Sequence, residues 1–91
     1  MVRIKYNKEF KKHLKIRILP NRNLFTKYKE RLKLFEKDRT NPILSDHKLR
    51  GKLEGFRTFN ITGNIRVVYF GRGENYYVFL DIGTHPQIYG M

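Results

Sequence analysis

Three side chains in the last third of the chain carry most of the chemistry on offer: Arg66, His85 and Tyr89. Arg66 lies in Ile65-Arg66-Val67, apolar surroundings in which a guanidinium is costly to place unless it meets an anion. Two anions fit. One is the carboxylate of Asp81, in a salt bridge; the other is a phosphate, whose oxygens match the guanidinium fork. His85 follows the last strand-like run, and an imidazole with an ordinary pKa of about 6.5 suits proton transfer. A structural role at a strand end fits it as well. Tyr89, four residues on, either stacks a base or packs the terminus.

Those residues need elements to hold them. Residues 56–61, 65–70 and 76–82 read as strands, turned by Thr62-Gly63-Asn64 and by Gly71-Arg72-Gly73-Glu74-Asn75. Alternation assigns Phe59, Ile61, Ile65, Val67, Val78, Leu80 and Ile82 to a helix-covered face. It leaves Thr58, Asn60, Arg66, Val68, Phe70, Phe79 and Asp81 on an open face that is unusually apolar. Upstream, Val2 to Tyr6 alternates like a strand, and Asn7 reads as the N-cap of a helix running to about Ile18. His13, beside Lys12, reads as a solvated surface histidine. After Pro20-Asn21, the residues Phe25, Tyr28, Leu32 and Phe35 form one helical stripe with lysines on the other faces. Thr40-Asn41-Pro42 ends that helix, and residues 41–53 read as a loop. The predicted fold is α+β, in the order β-α-α-β-β-β. An antiparallel helix hairpin packs on a four-stranded, mostly antiparallel sheet, with residues 1–91 as a single domain.

Composition narrows the function. The chain has 91 residues and a formal net charge of +12. Residues 1–39 hold 14 Lys/Arg against four acids, and residues 40–91 hold six against four. Charge of that size predicts a polyanionic partner, nucleic acid or a very acidic protein. No run approaches the ~20 apolar residues of a membrane span, and Met1 to Tyr6 has no signal-peptide core. A cytoplasmic location is therefore expected. The chain has no cysteine, which excludes disulfides and thiolate zinc sites.

The element order, Gly55-Phe56-Arg57, Ile65-Arg66-Val67-Val68-Tyr69 and Ile82-Gly83-Thr84-His85-Pro86-Gln87-Ile88-Tyr89 together resemble the RelE/ParE superfamily of toxins. The nearest branch is YafQ-like, and the distinctive series falls in residues 47–89. The resemblance implies a RelE-like microbial RNase fold, ribosomal A-site entry, mRNA cleavage, and neutralisation by an acidic antitoxin. It also implies a monomer when free and a hetero-oligomer with the antitoxin. By the resemblance, His85 corresponds to the branch's C-terminal proton-transfer histidine and Tyr89 to its terminal aromatic. Arg66 corresponds to the arginine that contacts the scissile phosphate, and His47 to the histidine of the "HPLxG" phrase. Arg57 matches an arginine after Gly-aromatic that is either functional or structural. With Asn60, Lys48 and Lys52, it completes a candidate substrate-binding set. This chain departs from the branch at Asn60, at Asn64-Ile65 and near Asp81, where the branch has a histidine, an Asp-Trp pair and an arginine.

RNA supplies its own nucleophile, the 2′-OH, so cleavage needs a base, an acid and a group to stabilise the phosphorane. His47 and His85 suit the first two roles in either order, and Arg66 suits the third. No cofactor and no metal is expected, because no Asp/Glu cluster resembles a two-metal site. Two other readings stand: a ParE-like inhibitor of DNA gyrase, which lacks the terminal His…Tyr pair, and a basic RNA-binding domain without catalysis.

Overall fold

The computed structural model describes residues 1–90. In chain order they form β1 (Arg3–Tyr6), α1 (Lys8–His13), α2 (Arg22–Lys37), β2 (His47–Lys48), β3 (Arg57–Asn60), β4 (Ile65–Gly73), β5 (Tyr76–Thr84) and α3 (His85–Tyr89). α1 continues through a wider π turn, Leu14–Ile18, and Asn21 then caps α2 by accepting from the Leu24 N–H at 3.1 Å. The helix pair turns Phe10, Ile18, Tyr28 and Phe35 onto the sheet, where they meet Phe59, Val67, Tyr69 and Phe79. The Phe35 ring lies 4.7 Å from Phe59, 5.0 Å from Tyr69 and 5.4 Å from Phe79. Aromatic contacts of this kind add ~0.5–1.5 kcal/mol each beyond the area they bury.

The sheet has five strands, not four, in the order β1-β5-β4-β3-β2. β1 runs parallel to β5 and every other pair is antiparallel. The additional strand is β2, which falls in the stretch expected to be loop. It is two residues long, and only its pairing with Thr58 and Arg57 makes it a strand. The β4–β5 hairpin is also tighter than expected, turning at Glu74-Asn75 with Asn75 at φ 54°. Asparagine tolerates that left-handed conformation better than most residues.

A bulge corrects the face assignment. Val68 pairs with Asp81 but Tyr69 pairs with Phe79, so Leu80 is the extra residue. Phe79 therefore enters the helix-covered core, while Leu80 joins Val68, Leu49 and Ile88 on the other face. Alternation turns Val78 the same way as Leu80. The remaining assignments hold. The open face is apolar because the 49–56 loop and α3 lie across part of it.

His13 is also not a solvated surface residue. β1 covers β5 only from Tyr76 to Phe79, and beyond that point α1 lies beside the strand. His13 there places Nδ1 2.5 Å from Oδ1 of Asp81, whose side chain is only 2% exposed. Among the described residues no helix is long and apolar enough to cross a membrane.

Candidate active site

His47 is held from two directions. Its Nδ1 lies 2.7 Å from the Ser45 carbonyl oxygen. A carbonyl only accepts, so Nδ1 carries the proton, and Nε2 of the neutral ring is a free acceptor. The preceding residue, Asp46, is clamped, with its side chain only 5% exposed. Its carboxylate accepts from Arg57 Nε at 2.7 Å, from Arg39 at 3.3 Å and from the Tyr69 hydroxyl. Burial first, and then the bond to Asp46, raise the Tyr69 phenol above its ordinary value. Burial works against the charge of Arg57, but the Asp46 carboxylate more than offsets it and raises that guanidinium.

His85 is placed by a turn. Thr84 ends β5 and caps α3 in a reciprocal pair with Gln87: the Gln87 N–H donates to Thr84 Oγ1, and the Thr84 N–H donates to Gln87 Oε1 at 2.8 Å. Pro86 suits the first turn of a helix because its missing N–H has no partner there anyway. Ile88, buried against Val68 and Leu49, pins α3 to the sheet. The His85 and Tyr89 rings then lie 4.2 Å apart and inclined by 35°. On the other side of the strand end, Arg17 donates to the Ile82 carbonyl oxygen at 2.9 Å. Gly83 permits that approach, because a Cβ there would come within 2.6 Å of Arg17 and 2.7 Å of Gln87.

Arg66 pairs across the hairpin with Asn60 and across β5 with Gly83. Asp81 is taken by His13 and Arg17, so it does not neutralise Arg66. The buried Arg66 Nε and Asn60 Oδ1 have no hydrogen-bond partner among the described residues. Buried polar atoms of that kind are few in folded proteins and need an explanation.

Two depressions join these groups. A cleft of about 1170 Å³ is lined by His47, Lys48, Arg57, His85 and Tyr89, together with Arg50, Glu54, Phe56 and Phe70. A smaller one of about 340 Å³ holds Arg66, Asn64 and His85. His85 is common to both. The arrangement thus offers a base with a defined free nitrogen, a second exposed imidazole and an uncommitted guanidinium. Among the described residues no three His, Asp or Glu side chains are grouped to hold a metal ion.

A model of the family described as the bacterial toxin of type II toxin-antitoxin systems, YafQ, matches residues 2–90. The chain belongs to the YafQ toxin family. It is thus a toxin of the type II toxin-antitoxin class, and the expected YafQ-like membership holds. No individually curated protein sequence matches it. Among solved structures, YafQ from E. coli strain BL21(DE3) is similar at 20% identity and TM-score 0.81, over 99% of this chain and 100% of that one. The E. coli DinJ-YafQ complex matches at 21% identity and TM-score 0.79, again over 99% and 100%. A metal-bound toxin from Helicobacter pylori matches at 28% identity and TM-score 0.75, over 97% and 99%.

For this YafQ-family chain, the expected residues divide. His47, Lys48, Arg57, His85 and Tyr89 share the large cleft, with Arg66 reached through His85. Arg57 is tied to Asp46, which favours the structural side of its two readings. Lys52 is exposed on the Gly51–Leu53 turn, outside the lining of the large cleft. Sequence reasoning missed Asp46, Arg17, Arg50, Glu54 and α3. The pattern Thr84-x-x-Gln87 with Pro86 could have revealed α3. Arg17 and Asp46 act through partners distant in sequence and left no local signal.

Proposed function

We propose that this toxin is a ribosome-dependent endoribonuclease that cuts mRNA and so stops translation in the cytoplasm. The observation that carries this reading is His85 at the junction of two depressions, with Arg66 in one and the free Nε2 of His47 in the other. His47 Nε2 takes the proton from the 2′-OH, whose oxygen attacks the adjacent phosphorus. Arg66 holds a non-bridging oxygen while negative charge builds on the phosphorane. His85 gives a proton to the departing 5′-oxygen as the P–O bond breaks. The products are a 2′,3′-cyclic phosphate and a 5′-OH end. Tyr89, against His85, offers its other face to a base. The scheme requires no metal, because the nucleophile is the RNA's own hydroxyl.

The basic helices suit the A site of the ribosome, and the net charge of +12 suits an acidic antitoxin that binds the otherwise monomeric toxin. DinJ is present with YafQ in the E. coli complex. The test is primer extension on translated mRNA. Wild type is expected to yield 5′-OH ends, with EDTA without effect where ribosomes survive it. Arg66→Ala is expected to lose ~10²–10³ in rate, and His85→Ala ~10²–10⁴. A His85→Ala protein that cuts at the wild-type rate refutes the assignment. A toxin that arrests growth without cutting RNA favours gyrase inhibition instead.

A further inference from the structure

Proton transfer and phosphate binding leave Glu54 unused. Glu54 is the only acid among the residues lining the large cleft, whose other charged walls are Lys48, Arg50 and Arg57. It is exposed, and among the described residues its carboxylate joins none of the ion pairs. Arg57, three residues away, is committed to Asp46 instead. In a groove shaped for a polyanion, an unpaired carboxylate repels the phosphate backbone. What it can do favourably there is accept hydrogen bonds, since an ionised carboxylate has no proton to donate.

The walls beside it suit a base. The Phe56 and Phe70 rings lie 5.9 Å apart, and Tyr89, packed against His85, lines the same cleft. Aromatic side chains hold unstacked RNA bases by their faces while polar groups read their edges. The four bases differ in what they show a two-oxygen acceptor. Uracil has one N–H between two carbonyls. Cytosine and adenine each set a single amino group beside an acceptor nitrogen. Guanine alone presents two neighbouring donors, N1–H and the N2 amino group, which match the two carboxylate oxygens.

We infer that Glu54 reads a guanine next to the scissile phosphate, accepting from N1–H and N2–H while the base stacks on the aromatic wall. The inference rests on the nuclease reading above and adds a base preference to it. The experiment maps cut ends on translated mRNAs for wild type, Glu54→Gln and Glu54→Ala. Wild-type ends are expected to carry guanine at one fixed position beside the cut, favoured ~10-fold over adenine, as a good bidentate contact provides. Glu54→Gln is expected to shift that position towards adenine, because an amide accepts from N6 and donates to N1. Glu54→Ala is expected to cut with no base bias there. A base profile unchanged in both variants overturns this inference alone, as does a wild type with no guanine at a fixed position. A wild type that cuts no RNA overturns the nuclease reading and this inference with it.

Discussion

Replacing Asp46 with alanine tests how the cleft is held. The Asp46 side chain is 5% exposed and takes Arg57 Nη2 at 2.7 Å and Arg39 Nη1 at 3.3 Å, besides the Tyr69 hydroxyl. Breaking a fully buried pair by removing one partner costs ~3–5 kcal/mol. Here the arginine side chains are 30% and 32% exposed, so water reaches part of the orphaned charge. That reduces the expected loss to about 2–3 kcal/mol, mostly from guanidinium and phenol groups left without an acceptor. At about 4–8 °C per kcal/mol for a domain of this size, Tm is expected to fall by ~10–20 °C. Urea unfolding followed by circular dichroism measures the loss. A double-mutant cycle with Arg57→Ala is expected to give a coupling of at least ~1 kcal/mol. Cleavage well below the new Tm is also expected to drop, because His47 follows directly on the clamp. If Asp46→Ala costs under ~0.5 kcal/mol, or simply adds to Arg57→Ala, the clamp is not what holds this loop.

Two further perturbations probe the strand end and the core. Gly83→Ala drives a methyl into the side-chain ends of Arg17 and Gln87. Both can move, so the stability loss is expected to stay within ~1.5 kcal/mol, but the shifted Thr84–Gln87 cap is expected to cost ~10²-fold in cleavage through misplaced His85. An intact rate in single-turnover assays refutes the idea that this cap aims His85. Burial holds the phenols of Tyr28 and Tyr69 above their ordinary value, reinforced at Tyr28 by Tyr6 and at Tyr69 by Asp46. An unfolded tyrosine ionises near pH ~10, whereas these stay protonated, so above that pH the unfolded state binds fewer protons and stability falls as pH rises. The urea midpoint is expected to be lower at pH ~11 than at pH ~9, and Tyr28→Phe is expected to shrink the difference. Equal midpoints for wild type at the two pH values contradict this account.

The parts legible in the sequence were those set by local periodicity. The stripe Phe25-Tyr28-Leu32-Phe35 repeats at helical spacing, and Ile65, Val67 and Tyr69 alternate with Arg66, Val68 and Phe70, so α2 and both faces of β4 could be read directly. The extra residue Leu80 could not, because a bulge is a property of two strands together and leaves the apolar run Val78-Phe79-Leu80 looking continuous. β2 was hidden for the same reason, since His47-Lys48 has no strand pattern of its own. At the site, Arg66, His85 and Tyr89 were candidates by residue type and His47 by resemblance, and the structure adds the groups packed and hydrogen-bonded around them. His13 was misread because its partner lies 68 residues away. The Asp81 carboxylate looked available to Arg66 until the helix carrying His13 and Arg17 was laid against β5.

The parallel pairing of β1 with β5 has a consequence for how the chain assembles. Arg3 lies opposite Tyr76, so the first strand has no sheet partner until nearly the whole chain is available. The β3–β4–β5 meander closes through short turns, whereas closing the long loop back to β1 costs more entropy and is slower. The meander is therefore expected to form ahead of β1, with α1 docking on Asp81 as a later step. A chain stalled before that step exposes the unpaired edge of β5 and the aromatic underside of the sheet, both prone to sticking to other chains. Folding kinetics of Ile4→Ala and Val67→Ala separate the two stages, with the loss at Ile4 expected to appear as faster unfolding and the loss at Val67 as slower folding.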